Sequence, residues 1–229
     1  MSNSVANNTC EFCNKVFVRE KLFIKHLCEP KRRWLERDMQ VNRYAHGAWK
    51  FYFTKHHPST KKTDYIDFTR SPYYMAFMQF ATYCLNTNVI NIHYFIDYLI
   101  SHKVPINLWC SDKEYSKFLI DYLKTEDVDD ATNRSLGTLE EMCRDENIQI
   151  KDAFKFLNEN RLCQKIYQGM ISPWVLYNSD TAIDFLSRLN DDQVKIIYDY
   201  INPDIWKIKV YREKATNNKI KSTLVQHQL

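Results

Sequence analysis

Cys10-Glu-Phe-Cys13, followed by Phe17, Phe23 and His26-Leu-Cys28, is the stretch on which the reading of this chain turns. Two cysteines two residues apart turn both sulfurs toward one point, and a helix can bring His26 back to that point. The Cys-x2-Cys-x12-His spacing, with one aromatic four residues after the second cysteine and another three before the histidine, is the framework of a small ββα zinc finger. Residues 1–30 are therefore read as a metal-pinned unit. Its few apolar side chains cannot hold it together alone, because metal binding supplies most of the folding free energy of such units. Without metal, the same residues are two buried thiols beside a solvated histidine.

The fourth ligand is the open point. Cys28 lies only two positions after His26, and neighbours at that spacing diverge on a regular helix. Both reach one metal if the helix has unwound by Cys28. Pro30 favours that, since proline disfavours helical backbone in the residue before it. His46 is the other candidate. The expected metal set is Cys10, Cys13 and His26 with Cys28 or His46, and the expected cofactor is Zn²⁺.

Behind the finger the chain turns strongly basic. Lys31, Arg32, Arg33, Arg37, Arg43, Lys50, Lys55, Lys61 and Lys62 are the candidate DNA-binding residues, since such side chains neutralise phosphates. They lie on a helix expected from Lys31 to about Phe53 and on a loop, Thr54 to Thr63. Trp34, Tyr44, Trp49 and Tyr52 are interleaved with them. Aromatic faces can stack on unpaired bases, but at helical spacing they more often fill a core.

Charge is divided unevenly. Residues 1–63 carry 13 Lys/Arg against 5 Asp/Glu, and residues 64–229 carry 19 against 23. From Asp204 onward the chain turns basic again. Basic ends around an acidic middle point to an anionic partner at the ends and a protein partner for the middle; solvated helix surface explains the middle as well.

Glycine is the most excluding figure. The chain has only Gly47, Gly137 and Gly169, far apart. Phosphate-cradling loops and dinucleotide fingerprints need clustered glycines, so nucleotide-driven enzymes are set aside. Few glycines and six prolines favour long helices. No apolar run approaches the roughly 20 residues of a membrane span. The start, Met1-Ser-Asn-Ser-Val-Ala-Asn-Asn, lacks the parts of a signal peptide. Seven cysteines, with Cys84, Cys110, Cys143 and Cys163 scattered through apolar patterns, fit a reducing cytoplasm.

Helical signals run to the end. Ser71-Pro72 opens a mostly buried helix from Tyr73 to Leu85, and another spans Ile92 to Ser101. Ser111-Asp-Lys-Glu114 reads as a capping box before a helix to Lys124. Further helices are expected over Asp130–Asn147, within Ile150–Tyr167, from Ser179 to Leu189, from Asp191 or Asp192 to Ile201, and from Asn202-Pro203 through Tyr211. The expected fold is all-α, with the small ββα finger at the N-terminus. Its parts are the finger (1–30), a basic helical domain (31–107), a C-terminal helical domain (108–214) and a frayed polar tail (215–229).

Catalytic groups are hard to find. His46, His56, His57, His93 and His102 have no recognisable partner spacing. His56-His57 could bind a nuclease metal but reads as an exposed loop. Asp127, Asp129 and Asp130 could hold a divalent cation but read as an inter-helix turn. Nothing demands acid–base chemistry, and the chain is expected not to be an enzyme.

One resemblance enters late in the chain. Ile171-Ser-Pro-Trp-Val-Leu-Tyr-Asn-Ser179, leading into Ala182-Ile-Asp-Phe-Leu186, the Asp191 helix and Trp206-Lys-Ile-Lys-Val-Tyr-Arg212, resembles the C-terminal domain of the replicative helicase loaders of T-even-like bacteriophages. Leu108-Trp-Cys-Ser-Asp112 and the Tyr115–Leu123 helix are similar to the centre of those proteins. The similarity covers residues 70–214 and is diffuse.

That resemblance implies an all-α, two-domain, non-enzymatic protein of the host cytoplasm. It would bind forked or single-stranded DNA and place a replicative helicase on strands coated by single-strand-binding protein. No active-site residue transfers, and the zinc finger departs from the T-even pattern. The alternatives are a zinc-finger transcriptional regulator of a phage, a nuclease and a virion protein.

Overall fold

The computed structural model describes residues 8–56 and 63–229. Helix dominates, as expected: fifteen α-helices and one two-stranded sheet among the described residues. None of these helices is long and apolar enough to cross a membrane. The chain divides into two compact units, Met1–Ser111 and Asp112–Leu229, so the finger belongs to the first and the final stretch to the second.

In the first unit, β1 (Asn8–Thr9) pairs antiparallel with β2 (Val16–Phe17), placing Asn8 opposite Phe17 and Thr9 opposite Val16. The turn between them closes through Cys10 N–H to Lys15 O at 2.9 Å, with Asn14 in the left-handed region at φ 57°. Six helices follow: α1 (Glu20–Ile24), α2 (Glu29–Leu35), α3 (Gln40–His56), α4 (Tyr65–Arg70), α5 (Tyr74–Thr87) and α6 (Ile92–Ser101).

The single helix expected from Lys31 to Phe53 is two. Arg37 N–H bonds back to Trp34 O at 3.2 Å, a tight turn that ends α2. The break serves two packing demands. Trp34 meets Phe12 of the finger at 5.5 Å, while α3 packs along α5. The second helix also runs through Thr54, Lys55 and His56, which the sequence reading placed in a loop.

α4 has no counterpart among the helices expected from the sequence. Asp64 caps it by accepting from Asp67 N–H at 3.0 Å. α5 starts later than Ser71-Pro72 suggests, at Tyr74, although Ser71 Oγ accepts from Tyr73 N–H at 3.1 Å. Phe68, Phe77, Phe80, Phe95, Leu99 and Trp109 are buried and form the core of this unit.

The second unit is built from α7 (Asp112–Thr125), α8 (Val128–Glu146), α9 (Ala153–Phe156), α10 (Glu159–Tyr167), α11 (Pro173–Leu176), α12 (Asp180–Arg188), α13 (Asp191–Ile201), α14 (Pro203–Arg212) and α15 (Lys214–Gln226). Side-chain caps start most of them. Asn158, Ser179 and Asn190 accept from the third residue beyond, and Asn190 shares a reciprocal capping box with Gln193. Asn147 ends α8 in the left-handed region, at φ 54°.

The tail is not frayed. Ile220 and Leu224 of α15 are buried, because their four-residue spacing gives this polar segment one apolar edge.

A buried polar network ties α7, α8 and α11 together. Glu126 has no exposed side-chain surface and pairs with Arg134 at 2.6 Å. Ser172 Oγ donates to its other oxygen at 2.8 Å, and Arg134 Nε donates to Gly169 O at 2.9 Å. Gly169 takes φ +76°, and a Cβ there would lie 2.6 Å from Leu119 Cδ1, so any larger residue is strained and must displace Leu119.

Candidate metal centre

The finger folds as a hairpin and one short helix, and its turns converge on four side chains. Cys10 and Cys13 flank the hairpin turn, where Asn14 N–H bonds to Cys10 O at 2.8 Å. α1 ends at Ile24, earlier than needed to carry His26, so His26 sits in the turn after it, with its N–H on Phe23 O at 3.1 Å. Cys28 stands before α2 in extended backbone, at φ −81° and ψ 165°, with Pro30 in the first turn. The unwinding that the spacing required is therefore present, and it lets His26 and Cys28 face the same point.

The ligand atoms of Cys10, Cys13, His26 and Cys28 all lie within 4.8 Å of one another. Cys10 Sγ and Cys28 Sγ are 3.8 Å apart, and Cys13 Sγ is 3.2 Å from His26 Nε2. A tetrahedral ion with metal–sulfur bonds of about 2.3 Å sets sulfurs about 3.8 Å apart. The group can therefore hold a metal ion, and its four protein ligands would close the coordination shell.

Among the described residues no other cluster of histidine, cysteine and carboxylate has this geometry. His46 is not part of it. Its Nε2 lies 3.1 Å from Thr63 O and its ring packs against Trp49, Tyr65 and Phe68. Burial holds the half-buried His46 imidazole below its usual range.

The electrostatics of the thiols follow from their surroundings. Burial alone would push the Cys10 thiol up. Hydrogen bonds from the backbone at Cys13 and Phe12, and from the neighbouring thiols, outweigh it and leave the group below its ordinary value. Burial pushes Cys28 up, against one opposing backbone bond from Lys31. Phe17 packs against His26 at 4.6 Å and against Phe23 at 6.0 Å, the small filling anticipated from the spacing.

Two anchors that the sequence did not reveal fasten the site to the helices. One is the Phe12–Trp34 contact. The other is Arg70 at the end of α4, whose Nε donates to Phe12 O at 2.9 Å and whose Nη2 donates to Glu11 O. One arginine thus holds both carbonyls inside the Cys-x2-Cys turn.

The expected DNA-binding cations fare unevenly. Arg33 is largely covered: it donates to Thr69 O at 2.9 Å and lies 4.1 Å from the Tyr74 ring centre. Arg37 lies 3.8 Å over the Trp34 ring. Arg32 pairs with Glu29 at 2.6 Å, Lys55 pairs with Asp97, and Lys31 donates to His26 O at 3.3 Å. Arg43 and Lys50 are exposed and form no ion pair with a described residue. Lys61 and Lys62 lie outside the described residues, as does His57.

Of the interleaved aromatics, Trp49 is buried and donates to Ser71 Oγ at 3.2 Å, whereas Tyr44 is exposed. The cations of the finger itself lie outside the set expected from the sequence. Lys15, Arg19, Lys21 and Lys25 are all exposed and form no ion pair with a described residue. Exposed Val16, Val18, Leu22 and Ile24 lie between them in sequence, and exposed Leu27 follows.

The remaining candidates resolve as structure. Asp127 caps α8 by accepting from Asp129 and Asp130 N–H, and Asp129 pairs with Lys219 at 2.6 Å. His93 stacks on Phe51 at 4.3 Å, His102 lies 2.9 Å from Tyr98 O, and His56 packs on Tyr52 at 5.5 Å. Compared with protein-family models, curated proteins and solved structures, the chain gives no match.

Proposed function

We propose that this protein is a non-enzymatic DNA-binding adaptor, with a zinc-stabilised cationic head in the first unit and a helical second unit that docks a protein. Three thiols with one imidazole form a soft donor set, and a closed four-ligand shell is the arrangement of structural zinc. The head is positive: Met1–Ser111 carries 15 Lys/Arg against 8 Asp/Glu, while Asp112–Leu229 carries 17 against 20.

The observation that carries the reading is the set Lys15, Arg19, Lys21 and Lys25. These cations stand on the finger without counter-ions among the described residues, available to phosphates. Aliphatic side chains between them offer an apolar face to unstacked bases. In its specific form, the adaptor loads a replicative helicase onto forked or single-stranded DNA carrying single-strand-binding protein. That form leans on the sequence resemblance alone.

A duplex-reading transcriptional regulator draws less support. Finger helices that read bases do so through polar residues spread over several positions. Here α1 has five residues and exposes Leu22 and Ile24.

Fluorescence anisotropy on fork, single-stranded and random duplex DNA over a salt series tests the reading. Fork or single strand is expected to bind most tightly, with affinity falling steeply as salt rises. No binding in dilute buffer refutes the adaptor. Failure to stimulate helicase recruitment onto coated forks refutes the loader form alone.

A further inference from the structure

The second unit carries an open groove of about 600 Å³, walled by α12, α13, α14 and α15. α13 lines it with Val194, Tyr198 and Ile201, and α14 with Pro203, Lys207 and Val210. Each triplet is spaced i, i+4, i+7, the spacing with which one helix meets another. Ile183 and Leu186 of α12 close a further side.

No described segment fills this trough, and lining residues Ile183, Tyr198 and Tyr211 stay 46%, 41% and 73% exposed. Lys207 is the one charged side chain among those that line it, and it forms no ion pair with a described residue. Asn217 Oδ1 is buried at the wall without a hydrogen-bond partner, while its Nδ2 donates to Val210 O at 3.0 Å.

We propose that this groove binds an amphipathic helix of a partner protein, its apolar ridge set against α13 and α14 and one of its carboxylates against Lys207 Nζ. Charge selects the occupant, since a lone ammonium on an apolar wall is complementary to a single acid. Shape agrees: two helical stripes with exposed lips match a helix laid in a groove, whereas small-molecule pockets bury about 70–90% of their ligand. The inference rests on the adaptor reading only for the existence of a protein partner.

The test uses the full zinc-loaded chain and two labelled alanine-rich peptides of about 18 residues, or about five helical turns. Both carry leucines at i, i+4, i+7 and i+11; one has glutamates flanking that stripe and the other has lysines. The acidic peptide is expected to bind at least about tenfold tighter than the basic one. Lys207→Glu should reverse that order. Tyr198→Asp, checked for folding by circular dichroism, should abolish binding of both.

Equal binding of the two peptides, or an order unchanged by Lys207→Glu, overturns the proposal. So does the absence of any binding below about 1 mM. A chain dimer that Tyr198→Asp dissociates assigns the groove to a second copy and overturns it too. Binding of a fluorescent acyl probe without peptide binding does the same. DNA anisotropy on the Lys207→Glu chain should match the parent, so failure of the groove and failure of the DNA-binding head show separately.

Discussion

Replacing Cys13 by serine removes one candidate ligand at an exposed position, where the thiol's contacts are with the other members of the cluster. The size of the effect follows from how little else holds the finger. Ordering the about 21 residues from Asn8 to Cys28 costs roughly 20 kcal/mol at about 1 kcal/mol each. Phe12 is buried, and Phe17 and Phe23 are half-buried. At about 3 kcal/mol for a fully buried ring they return at most about 9 kcal/mol. The shortfall of roughly 11 kcal/mol lies within the about 10–16 kcal/mol that structural zinc supplies near neutral pH. A zinc ion bound at these four side chains would therefore decide whether residues 8–28 fold at all.

The rest of the first unit has its own core and should survive. It loses the Phe12–Trp34 contact and the Arg70 bonds to the finger carbonyls, together worth about 1–2 kcal/mol. Zinc content by mass spectrometry, thermal melts and limited trypsin digestion check this. The parent should carry one zinc and resist cleavage at Lys15, Arg19, Lys21 and Lys25. Cys13→Ser, or the parent with chelator, should be cut there first, with Tm lower by roughly 5–15 °C. Full zinc content and trypsin resistance in Cys13→Ser would refute the reasoning.

Glu126→Ala should cost the second unit about 3–5 kcal/mol by stranding Arg134, read as a lower urea midpoint. Burial pushes the Glu126 carboxyl up, against the opposing pull of Arg134 and Ser172. A raised folded-state pKa gives stability that is complete below about 4.5, the ordinary glutamate range, and is lost as pH rises through the folded value; Glu126→Gln should flatten that decline. Gly169→Ala should cost about 2–4 kcal/mol from left-handed backbone and the Leu119 clash, again by urea titration. Lys21→Ala with Lys25→Ala should lower the slope of log affinity against log salt by about 1 per lost phosphate contact, whereas Arg33→Gln should leave it nearly unchanged.

What the sequence showed and what it hid divide along physical lines. Ligand spacing is short-range and rigid, so Cys10, Cys13 and His26 could be read from residue numbers alone, whereas the choice of Cys28 over His46 needed the fold. So could caps such as Ser179 and Asn202, which act within one turn. Long-range competition for side chains was hidden. Arg33 looks like a DNA cation in sequence, yet Thr69 O, 36 residues away, and the Tyr74 ring claim its guanidinium. Arg70 gave no signal because its role depends on carbonyls about 58 residues earlier. α15 was misjudged because two apolar residues, Ile220 and Leu224, are a faint stripe in a polar segment. They suffice only because the rest of the second unit presents a surface for them.

Cys28 shows how one residue carries both a local and a metal-binding assignment. It occupies the N-cap of α2, its carbonyl accepting the first helical bond from Arg32 N–H at 2.9 Å, yet its side chain makes no cap hydrogen bond. Serine, aspartate or asparagine there would improve the helix by about 0.5–2 kcal/mol. A cysteine that forgoes that gain makes sense when its sulfur is committed elsewhere, and the nearest commitment is Cys10 Sγ at 3.8 Å. A metal bound there would fix the start of α2 as well as the finger. It would thereby orient Trp34, whose ring is the apolar floor on which Phe12 rests. The metal ligands and the basic helix behind them are therefore one mechanical assembly, with the cations of the finger held at a set position against the first unit.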